Sequence, residues 1–151
     1  MKSPAYLAGL IDGDGSIIVS RRDKGLTKHD RKRKMSFELV VKVGGETHHM
    51  LALRREWGNI GSVYVRKRPG QRHLAEWLIA ARQSRIVLRQ IARYLKLKKR
   101  QAQNGLSFPM CRSRWDATPG FRREQLRRWR LMKYLNSRVG RGTVTYHGRR
   151  S

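Results

Sequence analysis

The sequence predicts an α+β fold in which helices cover one face of a four-stranded antiparallel sheet. Hydrophobic periodicity gives the element order helix, strand, strand, helix, strand, strand, helix, helix, and each pair of consecutive strands can form a hairpin. Clean alternation from Met35 to Val43 indicates a strand with one packed face and one polar face. The length of 151 residues suits one compact domain. We expect this domain over 1–136, followed by a basic Gly/Arg-rich tail at 137–151.

Caps, alternation and glycine mark the first helix and the first two strands. A Ser-Pro pair at 3–4 is typical of a helix start, and the helix is predicted to end at 12–15, where two aspartates alternate with two glycines. The β-branched segment 16–22 indicates a strand. After a charged loop, the second strand at 35–43 is predicted to end at Gly44-Gly45.

A second helix and a second hairpin follow. The helix is predicted over 46–56, and a Pro-Gly turn at 69–70 joins strands at 61–68 and 72–80,. The register of the last strand is ambiguous, so Trp77 could lie on either face of the sheet. Core packing is the favoured interpretation.

The C-terminal third is predicted to be helical. Ser84 can cap a helix that runs into the basic stretch 96–103, and Thr118-Pro119 opens a last helix,. Both helices are predicted to pack through apolar residues at helical spacing: Ile86, Leu88, Ile91, Leu95, Phe121, Leu126, Trp129 and Met132.

The composition is strongly basic. Lys plus Arg number 36 against 10 Asp plus Glu, a formal charge of +26, which favours a polyanionic partner, above all nucleic acid. A nuclease and a ribosomal or chromatin-type structural protein both fit this charge. The single Cys111 excludes an internal disulfide framework,, and no apolar run approaches a membrane span. We therefore expect a soluble, intracellular protein of the cytoplasm or an organelle matrix, without a membrane partner or a small-molecule substrate.

Carboxylates are scarce, and two of them end the most apolar predicted helix. Asp12 and Asp14 would repel a polyanion unless a cation intervened. Mg²⁺ reverses that repulsion because it takes one or two carboxylates and completes its shell with water and phosphate oxygens. From the residues alone two roles stay open, a metal site or the capping of the helix and the following turn.

Residues 7–15, Leu-Ala-Gly-Leu-Ile-Asp-Gly-Asp-Gly, resemble the signature of the LAGLIDADG homing endonucleases and differ from it only by Gly13 in place of alanine. The predicted element order is also similar to the family's αββαββα core, over about residues 6–103. The resemblance implies an intron-encoded homing endonuclease that hydrolyses both strands of a long pseudo-palindromic DNA site. It also implies Mg²⁺ as cofactor, with Mn²⁺ or Ca²⁺ able to occupy the site.

The resemblance implies a role for each matching residue. Asp14 corresponds to the metal-binding carboxylate, with the Gly13 carbonyl as a further ligand, and Asp12 to a structural acid. Lys98 corresponds to a basic residue that stabilises phosphate charge or orders the attacking water, and His49 to a basic water-ordering position. Ordinary surface positions are the alternative for Lys98 and His49.

One position departs from the family pattern. Many relatives place a polar or acidic ligand at the end of the second strand, where this chain has Gly44-Gly45-Glu46. Either Glu46 replaces that ligand or the contact is absent. The departure motivates an alternative function, a nucleic-acid-binding protein that does not cleave, such as a maturase-like helper of intron RNA or an inactive DNA-binding relative.

A single copy of the motif implies a homodimer in which the motif helix packs against its counterpart. The expected interface residues are Leu7, Gly9, Leu10 and Gly13; alternatively, Gly9 packs against the chain's own sheet. DNA contacts are expected from the polar sheet face and the adjoining loops, through Ile18, Ser20, Arg22, Lys24, Lys28, Arg31, Arg33, Lys34, Ser36, Glu38, Val40, Lys42, Tyr64, Arg66, Arg68, Gln71 and Arg72.

Overall fold

A computed structural model of the chain describes residues 3–24, 34–67, 69–70, 74–110 and 118–139. Within these residues five α-helices and four strands follow the predicted order, except that two α-helices and a 3₁₀ helix replace the third predicted helix. They are α1 (Pro4–Asp14), β1 (Gly15–Lys24), β2 (Lys34–Glu46), α2 (Thr47–Glu56), β3 (Ser62–Arg66), β4 (Leu74–Ala80), α3 (Ala81–Ile91), a 3₁₀ helix (Ala92–Tyr94), α4 (Lys99–Leu106) and α5 (Pro119–Val139).

The four strands form one antiparallel sheet with the order β1-β2-β4-β3. Helices pack on one face of this sheet, which confirms the predicted α+β class. Gly15 of β1 lies opposite Val43 of β2, and Val43 in turn lies opposite Trp77 of β4. This register brings the end of α1 next to the last residues of β2, so that helix and sheet meet at one edge.

The core lies between the helices and the inward face of the sheet. Its largest member is Trp77, which is fully buried and donates its indole N–H to the carbonyl of Ile60 at 2.9 Å. The favoured interpretation of Trp77 is therefore confirmed. Because β4 alternates strictly between buried and partly exposed residues, the position of Trp77 places Glu76 and Leu78 on the opposite face.

The prediction that Gly44-Gly45 ends β2 is wrong. The strand continues to Glu46 because Gly44 pairs with Glu76 and Gly45 with Ala75 of β4. Gly45 also allows α2 to pack closely, since a Cβ there would lie 2.9 Å from the Met50 methyl carbon. Pairing with a strand remote in sequence thus overrides the local tendency of glycine to break strands.

The predicted cap at Ser84 and the continuous helix after it are also wrong. The helix α3 begins at Ala81, and the buried Ser84 hydroxyl lies 2.6 Å from the Ile79 carbonyl and 3.1 Å from that of Leu39. Its role is to join the helix to the sheet. The helical path stops at Leu95, which has an extended backbone, and resumes only at Lys99.

Smaller differences concern element ends and one side chain. Strand β3 begins at Ser62 and ends at Arg66, inside the predicted range 61–68, and α5 continues to Val139, beyond the expected boundary at residue 136. Ile86 is exposed on α3 rather than packed in the core. None of the helices in the described parts of the chain has the length and apolar character that a membrane span requires.

Candidate active site and nucleic-acid interface

The carboxylate of Asp12 fixes the backbone of the segment that joins the 3₁₀ helix to α4. It accepts hydrogen bonds from the backbone N–H groups of Lys96 at 2.7 Å, Leu97 at 3.2 Å and Lys98 at 2.9 Å. Three convergent donors are typical of a carboxylate that fixes backbone. This geometry agrees with the structural role that the resemblance implies for Asp12.

Lys98 also links this segment to α1, but here the segment provides the donor and the helix provides the acceptors. Its side-chain ammonium donates to the carbonyls of Ile11 and Asp12, both at 2.7 Å. These carbonyls lie in the last turn of α1, where a cation is favourable. The Ile11 carbonyl also accepts the backbone N–H of Gly15. The residue is only 7 % exposed, and burial lowers the pKa of Lys98 against the opposing effects of Asp12 and Asp14. We call this reciprocal arrangement the Asp12–Lys98 clasp.

Asp14 is exposed at the end of α1, and within the described parts of the chain its carboxylate has no hydrogen-bond or ion-pair partner. The next residue allows the chain to turn closely into β1. A Cβ on Gly15 would lie 2.7 Å from the Ile11 Cα and from the Lys42 carbonyl oxygen, so a side chain there would collide with backbone. The clasp and this close turn together fix where Asp14 lies.

The surroundings of Asp14 fit a cation that is shared with a ligand. Gly44 follows Val43, the strand partner of Gly15, and it is exposed and contributes no side chain. No group of three His, Cys, Asp or Glu residues that could hold a metal occurs in the described parts of the chain. Mg²⁺ does not need such a group, because it binds through one or two carboxylates and takes water and phosphate oxygens as its other ligands.

The structure does not bring His49 to Asp14. The Nε2 atom of His49 lies 2.9 Å from the Tyr6 hydroxyl, and the two rings stack with centroids 6.2 Å apart. Tyr6 is in the first turn of α1, about 12 Å along the helix axis from Asp14 at 1.5 Å per residue. The carboxylate of Glu46 lies 3.5 Å from Nδ1 of His48.

The outward face of α1 carries Tyr6, Gly9 and Gly13, with the spacing of one helix face. Leu10 lies at the edge of this face and is partly buried against the core. Gly9 and Gly13 are exposed, and a Cβ on either would meet no atom within 4 Å. The alternative in which Gly9 packs against the chain's own sheet is therefore wrong. Leu7 is 0 % exposed in the core, so its prediction as an interface residue is also wrong.

The sheet face that the helices leave uncovered, here called the outer sheet face, carries most of the described residues expected to contact DNA. They are Ile18, Ser20, Arg22, Ser36, Glu38, Lys42, Tyr64 and Arg66, each partly or fully exposed. Val40 has the expected parity but is only 2 % exposed. It lies on a central strand between Ile18 and Ala80, where neighbours cover it, and its prediction as a DNA contact is wrong.

Two carboxylates on the outer sheet face are bound to cations. Glu38 pairs with Arg22 at 3.0 Å, and Glu76 contacts both Lys42 at 3.4 Å and Arg66 at 3.1 Å. Glu76 was absent from the predicted site. Alternation along β4 could have found it, because an inward Trp77 requires an outward Glu76.

Other predicted contacts lie outside the described residues. Lys28, Arg31, Arg33, Arg68, Gln71 and Arg72 belong to this group, as do Cys111 and most of the C-terminal tail. For Lys24 and Lys34 the backbone is part of β1 and β2, and the side chains lie outside the description.

A family model described as LAGLIDADG endonuclease matches residues 7–108. No curated protein sequence matches the chain. Among solved structures, the homing endonuclease I-CvuI in complex with DNA is 21 % identical over 91 % of this chain and 79 % of that chain, with a TM-score of 0.58.

Two further solved structures have the same fold. An archaeal intron-encoded homing endonuclease complexed with DNA is 14 % identical over 87 % of this chain and 82 % of that one, with a TM-score of 0.61. The homing endonuclease I-TnaI is 16 % identical over 91 % of this chain and 98 % of that one, with a TM-score of 0.56.

Proposed function

Because the chain belongs to the LAGLIDADG endonuclease family, we propose that it is a homing endonuclease that cleaves both strands of a specific duplex DNA site with a divalent metal. The observation that carries this proposal is the contrast between the two acids of the motif. Both carboxylate oxygens of Asp12 accept hydrogen bonds from backbone N–H groups, whereas Asp14 is exposed. Asp14 is thus available to a ligand at the edge of the outer sheet face.

Asp14 would hold the metal, and the Gly13 carbonyl is a second candidate ligand. A divalent metal held there would supply neutralisation of phosphate charge and a lower pKa for a water nucleophile. Structures of I-CvuI with DNA were determined in the presence of Mg, with the DNA not cleaved, and in the presence of Ca, which supports a divalent metal as the cofactor. We assign Lys98 as a positioning residue, because two of its ammonium donors bind carbonyls of α1.

The outer sheet face would lie in the major groove, which admits β-strands and presents a distinct pattern of donors and acceptors for each base pair. Arg22, Tyr64 and Arg66 are exposed there. The overall charge of +26 supports strong and salt-dependent contact with phosphates.

Cleavage in the presence of metal is the first expected result. A library of duplexes with randomised sequence, incubated with the protein and Mg²⁺, is expected to yield cleaved molecules that share one site. An excess of EDTA should abolish the cleavage, since the metal is needed to neutralise phosphate charge. Sequencing of the cut ends measures both. Specific binding without any cut product would instead favour the non-cleaving alternative, which the absence of a side chain at Gly44 supports.

We also propose that two chains form the active enzyme. A single motif supplies one Asp14, whereas two-strand cleavage needs two sites, and a two-fold axis through paired α1 helices would provide both. The glycines on the outward face of α1 would let two helix backbones approach closely. Such a dimer would carry 2 × 26 = +52 and would favour a pseudo-palindromic target.

Substitution of Gly9 tests the dimer. Gly9→Leu is expected to convert a dimer into a monomer, because leucine separates the paired helices. The protomer itself should not lose stability, since a Cβ at Gly9 meets nothing within 4 Å and leucine favours a helix over glycine by about 1 kcal/mol. Light scattering gives the mass and thermal melting gives the stability.

Gly120→Leu is the matched control, because Gly120 is also an exposed helical glycine with open space around its Cα. It should leave the dimer intact. A wild-type protein that is a monomer at every concentration used for cleavage would contradict the proposed assembly.

A further inference from the structure

Glu76 occupies the middle of the outer sheet face and is bound by cations from both neighbouring strands. Its Oε1 lies 3.4 Å from the Lys42 ammonium of β2, and its Oε2 lies 3.1 Å from the Arg66 guanidinium of β3. We call these three residues the Lys42–Glu76–Arg66 triad. An acid in the centre of a face that meets phosphates needs an explanation, because by itself it repels the ligand.

The strand register leaves one side of the triad open. Glu76 lies directly opposite Gly44 on β2 and Tyr64 on β3, while its two cations are diagonal neighbours. Gly44 has no side chain, and the space above it is empty to 4 Å. The Glu76 carboxylate is therefore held by the cations on its two sides, and its side chain remains 22 % exposed. The Arg66 side chain is 63 % exposed.

Both members of the Arg66–Glu76 pair keep hydrogen-bonding capacity. A guanidinium carries five N–H donors, and one nitrogen of Arg66 is directed to Glu76,. A carboxylate offers about four lone-pair sites, and the triad uses two of them. Free donors and free acceptors thus lie side by side on the outer sheet face.

This juxtaposition matches the major-groove edge of a G·C base pair. Guanine presents the acceptors O6 and N7, and cytosine presents the N4 amino donor beside them. We propose that Arg66 and Glu76 together read one G·C base pair in each half-site. Arg66 donates to guanine, Glu76 accepts from cytosine N4, and Lys42 holds the second carboxylate oxygen. The inference rests on the proposed function, since it requires the outer sheet face to meet duplex DNA.

Glu76→Gln changes the readout in a way that a loss of structure would not. An amide is a donor as well as an acceptor, so it can bond O4 of thymine as well as N4 of cytosine. We expect the preference for G·C over A·T at one position of each half-site to fall about tenfold, with the other positions unchanged. Glu38→Gln, which weakens the separate pair with Arg22, is the matched control. It can change the preference at a base pair that Glu38 itself contacts, but it should leave the preference at the Glu76 position as it is.

The measurement is selection of bound duplexes from a randomised library without divalent metal, followed by sequencing, with melting temperatures to show that each variant folds. If the wild type selects a site and Glu76→Gln keeps the same G·C preference at every position, the inference about Glu76 is wrong while the proposed function stands. A wild-type protein that selects no sequence would contradict site-specific recognition, and with it the proposed function.

Discussion

Replacing Asp14 with asparagine is expected to abolish DNA cleavage while leaving the fold and DNA binding intact. The Asp14 side chain is exposed, and its carboxylate has no hydrogen-bond or ion-pair partner in the described parts of the chain. Its charge attracts Lys98 only through a longer-range effect that ranks below that of Asp12. Removal of a negative charge near a polyanion should even strengthen binding slightly. A metal contributes several kcal/mol of transition-state stabilisation, so loss of its carboxylate should lower the cleavage rate by about 10³-fold or more. Single-turnover cleavage and equilibrium binding measure the two effects separately.

Glu46→Gln is the control for the Asp14 substitution. It removes a carboxylate from the same end of the sheet, but the Glu46 side chain lies against His48, and we expect cleavage to persist. Cleavage by Asp14→Asn at the wild-type rate would refute the metal-ligand role. Loss of cleavage in both variants would instead assign Glu46 as the ligand that replaces the missing polar residue.

The order of elements and the acids of the motif could be read from the sequence, because both depend on local patterns. Alternation predicted the outward residues of β2, and a nine-residue motif singled out Asp12 and Asp14. The end of β2 could not be predicted in this way. Gly44 looks like a strand breaker until β4 pairs with it, and that pairing joins residues more than thirty positions apart.

Burial and long-range bonds account for the remaining differences at the site. Alternation along β2 places Val40 on the outer sheet face, as a DNA contact requires. Its neighbours on both adjoining strands bury it, however, and alternation within one strand does not show which strands lie on either side. Leu7 belongs to the motif, yet it faces the chain's own core. The sequence placed Lys98 near the active site, but it did not reveal that the ammonium binds two carbonyls of α1.

Loss of Asp12 is expected to weaken both the fold and the cleavage activity. Asp12→Ala leaves three backbone N–H groups without their acceptor and removes the carboxylate that has the larger favourable electrostatic effect on the buried Lys98. A hydrogen bond to a charged group contributes about 1.5–3 kcal/mol, and partial exposure of this segment reduces the loss. We expect the free energy of unfolding to fall by about 2–4 kcal/mol. Urea denaturation measures this change.

A double-mutant cycle tests whether the clasp acts as one unit. Lys98→Met removes the hydrogen bonds from the Lys98 ammonium to α1. If the clasp is one unit, the double variant should lose less free energy of unfolding than the sum of the losses in Asp12→Ala and Lys98→Met. Both should slow cleavage because Asp14 loses its fixed position. Asp12→Ala with wild-type stability and no cleavage would show instead that Asp12 takes part in the chemistry. Asp14→Asn provides the contrast, since it should stop cleavage with a much smaller change in the free energy of unfolding, because Asp14 makes no hydrogen bond in the described parts of the chain and its effect on Lys98 ranks below that of Asp12.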